Sequence, residues 1–282
     1  MNIRKLDKKD IMDILPDRKP DTHKGDYGRV LLLCGSRGYT GAAALAAMGA
    51  LRCGAGLVYL AVPESIYAIE AVKLTEPVVL PMPDKGGKLS SDTPEQLAEL
   101  LPKMDAVLIG PGIGCSDGTY ETVKYVLEQF RGPVIVDADG INVLQGHIDI
   151  LRGRTNPTIL TPHIGEFMRL YGKMPEDRVS AAQDLATKTG TIVLLKGNET
   201  VVTDGYDTYI NPTGNPGMAV GGSGDVLSGI IAALLGQGIS SIQAAACGAW
   251  LHGAAGDMCA EQIGQYGMLP TDMLQVLPRL LK

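Results

Sequence analysis

Residues 221–229 read Gly-Gly-Ser-Gly-Asp-Val-Leu-Ser-Gly. Gly221, Gly222 and Gly224, with Ser223 among them, leave bare backbone N–H groups that could close around an anion. Val226, Leu227, Ile230, Ile231, Leu234 and Leu235 then recur at the spacing of a buried helix face. The turn therefore opens a helix, whose unpaired amides and positive dipole end favour phosphate. Asp225 stands inside that anion hole. A carboxylate is repelled by phosphate, which a proton-transfer role explains: Asp225 would take a proton from a hydroxyl about to meet a phosphoryl group. A glycine-rich helix start, with Asp225 merely complementing the dipole, remains open on these residues alone.

Something must hold that turn. Short, uniformly apolar runs at Arg29–Gly35, Leu57–Val62, Val78–Pro81, Ala106–Gly110, Val134–Asp137, Thr158–Thr161 and Thr191–Lys196 read as strands covered on both faces. Helix-like stretches at Gly41–Cys53, Pro94–Leu101, Gly118–Phe130, Gly165–Tyr171 and Asp177–Thr189 lie between them. This alternation predicts a mostly parallel central sheet in a three-layer α/β/α sandwich. Glu199–Thr203 and Thr208–Asn211 read as a hairpin, followed by helices at Ser223–Gly236, Ser240–Glu261 and Thr271–Leu281. Asp84–Ser91 reads as an exposed loop. No linker or repeat appears, so residues 1–282 are expected to form one domain.

In parallel sheets, ligands bind beyond the carboxyl ends of the strands. The segments there are predicted to share one composite site. Gly110-Pro111-Gly112-Ile113-Gly114 lacks dinucleotide-fingerprint spacing but lets a flat ligand approach the backbone. Asp139 reads as an N-cap, and Asp137 could instead face magnesium, directly or through water. His163 is either a ligand contact or a helix-start histidine bonded to backbone. Dipole complementarity suffices for Glu166. Lys196-Gly197 suits a nucleotide phosphate or ribose, and Asn211–Asn215 could border it. His147 and His252 read as surface and helix-packing residues. No Walker A sequence occurs.

The chain has 282 residues, 45% hydrophobic and 20% charged, as expected of a globular protein. One Trp, two Phe and a net charge of −6 argue against a nucleic-acid partner. Five scattered cysteines without C-x-x-C spacing suggest reduced thiols. With no signal-like start and no apolar run long enough to span a bilayer, a cytoplasmic, membrane-free protein is expected.

Taken in order, His23-Lys24-Gly25-x-Tyr27-Gly28, Gly35-Ser36, Tyr39–Ala43, Gly110-Pro111-Gly112, Thr161-Pro162-His163-x-Gly165-Glu166-Phe167, Lys196-Gly197-x-x-Thr200 and Gly221–Asp225 resemble the ADP-dependent NAD(P)H-hydrate dehydratases. The resemblance spans nearly the whole chain. It implies a ribokinase-like fold without a β-lid, and a repair reaction in which hydrated NADH or NADPH, hydroxylated at C6, loses water at the expense of ADP. It further implies that Asp225 is catalytic and that Ala42, Gly112 and His163 contact the hydrated cofactor. Lys196, Gly197, Asn198, Glu199 and Thr200 would bind ADP, with Gly224 touching its phosphate. ATP could replace ADP, and Mg2+ is expected with either. The family implies a homo-oligomer and functional pairing with an NAD(P)H-hydrate epimerase; from the length, the epimerase-like domain sometimes fused N-terminally is not expected within these 282 residues. A kinase for a small vitamin-precursor alcohol and a non-catalytic nucleotide-binding regulator are the rival readings.

Overall fold

A computed structural model describes residues 2–174 and 176–281. Ten strands form one sheet in the order β1 (Asn2–Lys5), β12 (Asp207–Asn211), β11 (Thr200–Thr203), β10 (Ile192–Leu195), β9 (Thr158–Leu160), β8 (Val134–Val136), β7 (Ala106–Ile109), β2 (Arg29–Leu33), β3 (Leu57–Pro63) and β4 (Val78–Met82). Only β11 runs against its neighbours; the other pairings are parallel. The predicted sheet and hairpin therefore form.

The apolar runs are uniform because both faces of each central strand are covered. In β2, Val30 and Leu32 pack with α2 (Thr40–Arg52), α9 (Ser223–Gly236) and α10 (Ser241–Ile263). Leu31 and Leu33 point the other way, into the layer of α4 (Thr93–Leu100) and α5 (Asp117–Gln129). All four are fully buried. The second layer continues through α7 (Ile164–Tyr171) and α8 (Arg178–Thr189), on Val193 and Leu195. Helix α9 packs directly on α2: a Cβ at Gly49 would stand 2.7 Å from the Val226 carbonyl oxygen, and one at Gly229 would collide with that of Ala46. Two helices lie this close only where neither presents a side chain.

Several elements depart from expectation. Strand β1 and helix α1 (Lys8–Ile14), capped by Asp7, precede the first predicted strand. Helix α3 (Glu64–Lys73) follows β3. The supposed loop Asp84–Ser91 contains a small hairpin, β5 (Asp84–Lys85) with β6 (Lys88–Leu89), whose Leu89 is buried. Asp139 is not an N-cap: α6 (Asp139–Asn142) begins with it, and Ala138 is the cap residue. The last helix, α11 (Pro270–Val276), tightens into a 3-10 turn at Leu277–Leu280. Among the described residues all five cysteines are free, and only Cys115 is exposed. No helix there is long and apolar enough to cross a membrane.

Candidate active site

A cleft of about 810 Å³ opens beyond the carboxyl ends of β8, β9 and β10, between the α9 start and residues 211–220. Helix α9 starts from Gly222, whose φ of 96° is left-handed and whose missing side chain leaves room for Leu45 Cδ1. Glycine cannot cap with a side chain, and while the Ser223 amide donates to the Val220 carbonyl at 3.3 Å, no side chain caps the Gly224 and Asp225 amides. Ser223, Gly224 and Asp225 line the cleft.

The charged residues converge from four separate strand ends and helices. Lys196, at the end of β10, places Nζ 2.9 Å from Asp137 Oδ1 and 3.9 Å from Glu166 Oε2. The same ammonium would lie 3.4 Å from a Cβ built on Gly224, so it stands beneath the anion turn. Burial pulls its pKa down, but Asp137, Glu166 and Asp225 outweigh that and hold it charged. Asp137 is buried, and its second oxygen accepts from Ser228 Oγ at 2.6 Å. Ala138, at a left-handed φ of 48°, turns the chain so that Asp137 and Asp139 aim apart. Asp139 instead accepts from the Gly114 amide at 2.9 Å and pins the glycine loop after β7.

Asp225 is half-buried and faces its neighbours through charge. Burial, then the negative charge of Asp137, lifts its carboxyl from 3.8 to about 6, against the pull of Lys196. Such a carboxylate is a far better base near neutral pH than an ordinary aspartate. Glu166 is likewise raised, chiefly by burial.

His163 is the helix-start histidine bonded to backbone, and it also lines the cleft. Its Nδ1 accepts from the Gly165 and Glu166 amides at 2.9 and 3.3 Å, so it caps α7, while its ring lines the cleft. Glu166 returns the cap by accepting from the His163 amide at 2.8 Å. In the loop after β10, Gly197, Asn198 and Thr200 line the cleft, and Arg178 holds the loop by donating to the carbonyls of Leu195, Lys196 and Asn198. Glu199 does not join them: at a φ of 51° it turns its carboxylate to Lys5 Nζ, 3.1 Å away. Asn211, Thr213, Gly214 and Asn215 form the opposite wall, as expected.

Ala42 and Gly112 lie outside the cleft, on an adjoining shoulder. A Cβ on Gly112 would stand 2.8 Å from that of Ala42. Ser36 Oγ donates to the Gly112 carbonyl at 2.7 Å, and the Gly35 amide to that of Pro111 at 2.7 Å, so the loops after β2 and β7 interlock. Asp225 reaches this shoulder electrostatically: after burial, its charge is the largest influence raising the Cys34 thiol at the end of β2. Gly221 and Gly222 support the turn without lining the cleft.

Sequence reasoning missed the cluster partners. Asp137, expected as a possible magnesium neighbour, accepts from Lys196 Nζ through one oxygen and from Ser228 Oγ through the other. Among the described residues, no three His, Cys, Asp or Glu side chains converge to hold a metal. His252 is buried as expected of a packing residue, but it also lines the cleft, with Nε2 3.2 Å from Ser223 Oγ. Its signal was available: a histidine amid Ala, Gly and Leu in a buried helix.

An anion turn, an ammonium beneath it and a poised carboxylate make a site for moving a phosphoryl group. Residues 30–279 match the family model described as NAD(P)H-hydrate dehydratase. The bifunctional NAD(P)H-hydrate repair enzyme of Moorella thermoacetica is 48% identical over 275 residues, 95% of this chain and 52% of that protein. The chain thus spans about half the length of the curated relatives it matches. The ADP/ATP-dependent NAD(P)H-hydrate dehydratase of Bacillus subtilis, co-crystallised with ATP and Mg2+, superposes with a TM-score of 0.85 at 31% identity, covering 99% of this chain and 98% of that one. A ribokinase-like superfamily protein of Enterococcus faecalis gives a TM-score of 0.87 at 30% identity, covering 98% and 94%. With its ribokinase-like sheet and a family-model match over residues 30–279, this chain belongs to the NAD(P)H-hydrate dehydratase family.

Proposed function

We propose that the chain restores NADH and NADPH from their C6 hydrates, consuming ADP and releasing AMP and phosphate. The observation that carries this reading is the Asp225 carboxyl in the first turn of α9, lining the cleft at the glycine turn with the Lys196 ammonium beneath it. The adenine nucleotide occupies the cleft, between the Lys196–Thr200 loop and residues 211–220. The hydrated ring lies toward Ala42 and Gly112, with His163 at the cleft side.

Hydroxide is a poor leaving group, so the hydroxyl must be converted first. Asp225 takes the C6 hydroxyl proton, and the oxygen attacks the β-phosphorus of ADP as the bond to AMP breaks. Amides of the turn and the Lys196 ammonium hold the charge that builds on the phosphoryl oxygens. The ring nitrogen lone pair then expels phosphate from C6, and loss of the C5 proton restores the ring double bond. Atoms balance as hydrate plus ADP giving reduced cofactor, AMP, phosphate and a proton. Magnesium would enter on the nucleotide's own phosphates, where it would neutralise their charge. ATP is the alternative donor, and the B. subtilis protein's description as ADP/ATP-dependent supports testing both.

The test is to incubate purified protein with NADH hydrate and ADP and follow the return of reduced-nicotinamide absorbance. Recovery is expected with ADP and not without nucleotide. Accumulation of a stable phosphorylated product would instead favour a small-alcohol kinase, and ADP binding with no consumption a regulator.

A further inference from the structure

His252 sits in α10 at a depth where its neighbours are alanine, glycine and leucine, and it is only 8% exposed. Its Nε2 stands 3.2 Å from the hydroxyl of Ser223, the first residue of α9. Both side chains line the cleft. That hydroxyl therefore opens beside the amides that would receive the phosphoryl group. Burial, with the positive charge of Lys196 adding to it, pushes the imidazole pKa down to about 4, so the ring is neutral. A neutral imidazole has a single N–H. Nε2 is the ring nitrogen that faces Ser223 Oγ, so the tautomer carrying its single N–H there makes the ring the donor of the pair.

We propose that His252 is a positioning residue that donates Nε2–H to Ser223 Oγ, leaving the Ser223 hydroxyl hydrogen to point at the transferring phosphoryl group. The inference rests on the dehydratase reading of the cleft. A hydroxyl rotates to suit its surroundings, and an oxygen that already accepts a hydrogen bond has only its own hydrogen left to aim. Accepting that bond also makes the hydroxyl a stronger donor. The anion turn thus gains a side-chain donor whose direction is fixed from another helix. A histidine kept only for packing would be replaceable by leucine at no catalytic cost.

The experiment compares Ser223→Ala, His252→Leu, His252→Gln and the Ser223→Ala/His252→Leu double variant. Glutamine keeps an N–H within reach of Ser223, whereas leucine fills space without a donor. Turnover is measured with NADH hydrate and ADP, affinities for ADP and AMP by calorimetry, and folding by thermal melting. His252→Leu and Ser223→Ala are each expected to lower kcat by about tenfold to a hundredfold, less than or equal to the loss of a whole oxyanion donor. His252→Gln should recover most of the loss, and the double variant should be no slower than Ser223→Ala. Affinity should fall for ADP and stay unchanged for AMP, which lacks the transferred group.

Losses that multiply in the double variant, or equal weakening of ADP and AMP, would overturn the pairing while leaving the dehydratase reading intact. A wild-type chain that binds ADP but regenerates no NADH would sink the dehydratase reading, and the ADP-to-AMP affinity contrast then decides the pairing by itself. If His252→Leu does not fold, His252→Asn takes its place, since its shorter amide cannot reach Ser223.

Discussion

Helices α7 and α9 both begin at the sheet edge that carries the cleft, and their starts are treated in opposite ways. At α7 the His163 ring accepts two first-turn amides while Glu166 caps back to the His163 amide. The Gly165 and Glu166 amides are thereby spent within the protein. At α9 the cap position is Gly222, which has nothing to accept with. Both helices carry the same dipole, so the macrodipole alone does not make a phosphate site. What distinguishes them is whether the protein spends its own acceptors on the helix end or reserves that end for a ligand.

The sharpest way to break this contrast is at the acid of the open end. Asp225→Asn should lower kcat by about 10²–10⁴-fold, the usual contribution of a positioned base, while ADP still binds. Steady-state turnover beside calorimetric binding checks both halves. Next, Gly222→Ser would give α9 the kind of side-chain cap that α7 has. It meets Leu45 and a left-handed φ, so we expect ADP affinity to fall by about tenfold and stability by about 1–3 kcal/mol. Unchanged ADP affinity in a folded Gly222→Ser protein would remove the distinction between the two helix starts. The pH profile of kcat/KM should bend near 6 and fall about tenfold per unit below it, as Asp225 becomes protonated.

Smaller effects concern stability. Asp225 in the folded chain holds its proton up to about 6, against 3.8 for the free group. Its contribution is therefore present at pH below about 4 and is lost as pH rises through 6. Above that, the ionised side chain strains the fold, so Asp225→Asn should be more stable than wild type at pH 8 by about 1–3 kcal/mol. The gain should vanish near pH 4 in chemical denaturation. His163→Ala uncaps α7 and should cost about 1 kcal/mol in the same assay.

The central strands could be read because burial on both faces leaves an unbroken apolar run, as at Val30–Leu33 and Ala106–Ile109. Strand β1 has no such mark: Asn-Ile-Arg-Lys lies at the sheet edge and pairs with β12 alone. Helix α3 buries only Ile66 and Glu70, too little for a visible stripe. At the site, the glycine turn and Lys196 announce themselves locally. The pairings of Lys196 with Asp137, and of His252 with Ser223, join residues far apart in the chain, and no local spacing encodes them. Glu166 shows the limit well. Its dipole role is real, since it caps α7, yet the same carboxylate also faces Lys196 across the cleft. Asp139 fails in another way: its expected capping duty falls to Ala138, whose backbone conformation a propensity rule does not anticipate.

The side-chain-free contact between α2 and α9, at Gly49 and Gly229, couples the two rods into a single beam. With no rotamers between them to yield, the acid at the end of that beam has little freedom to swing. A methyl group grafted at position 49 would then act as a catalytic lesion from a place no substrate ever touches.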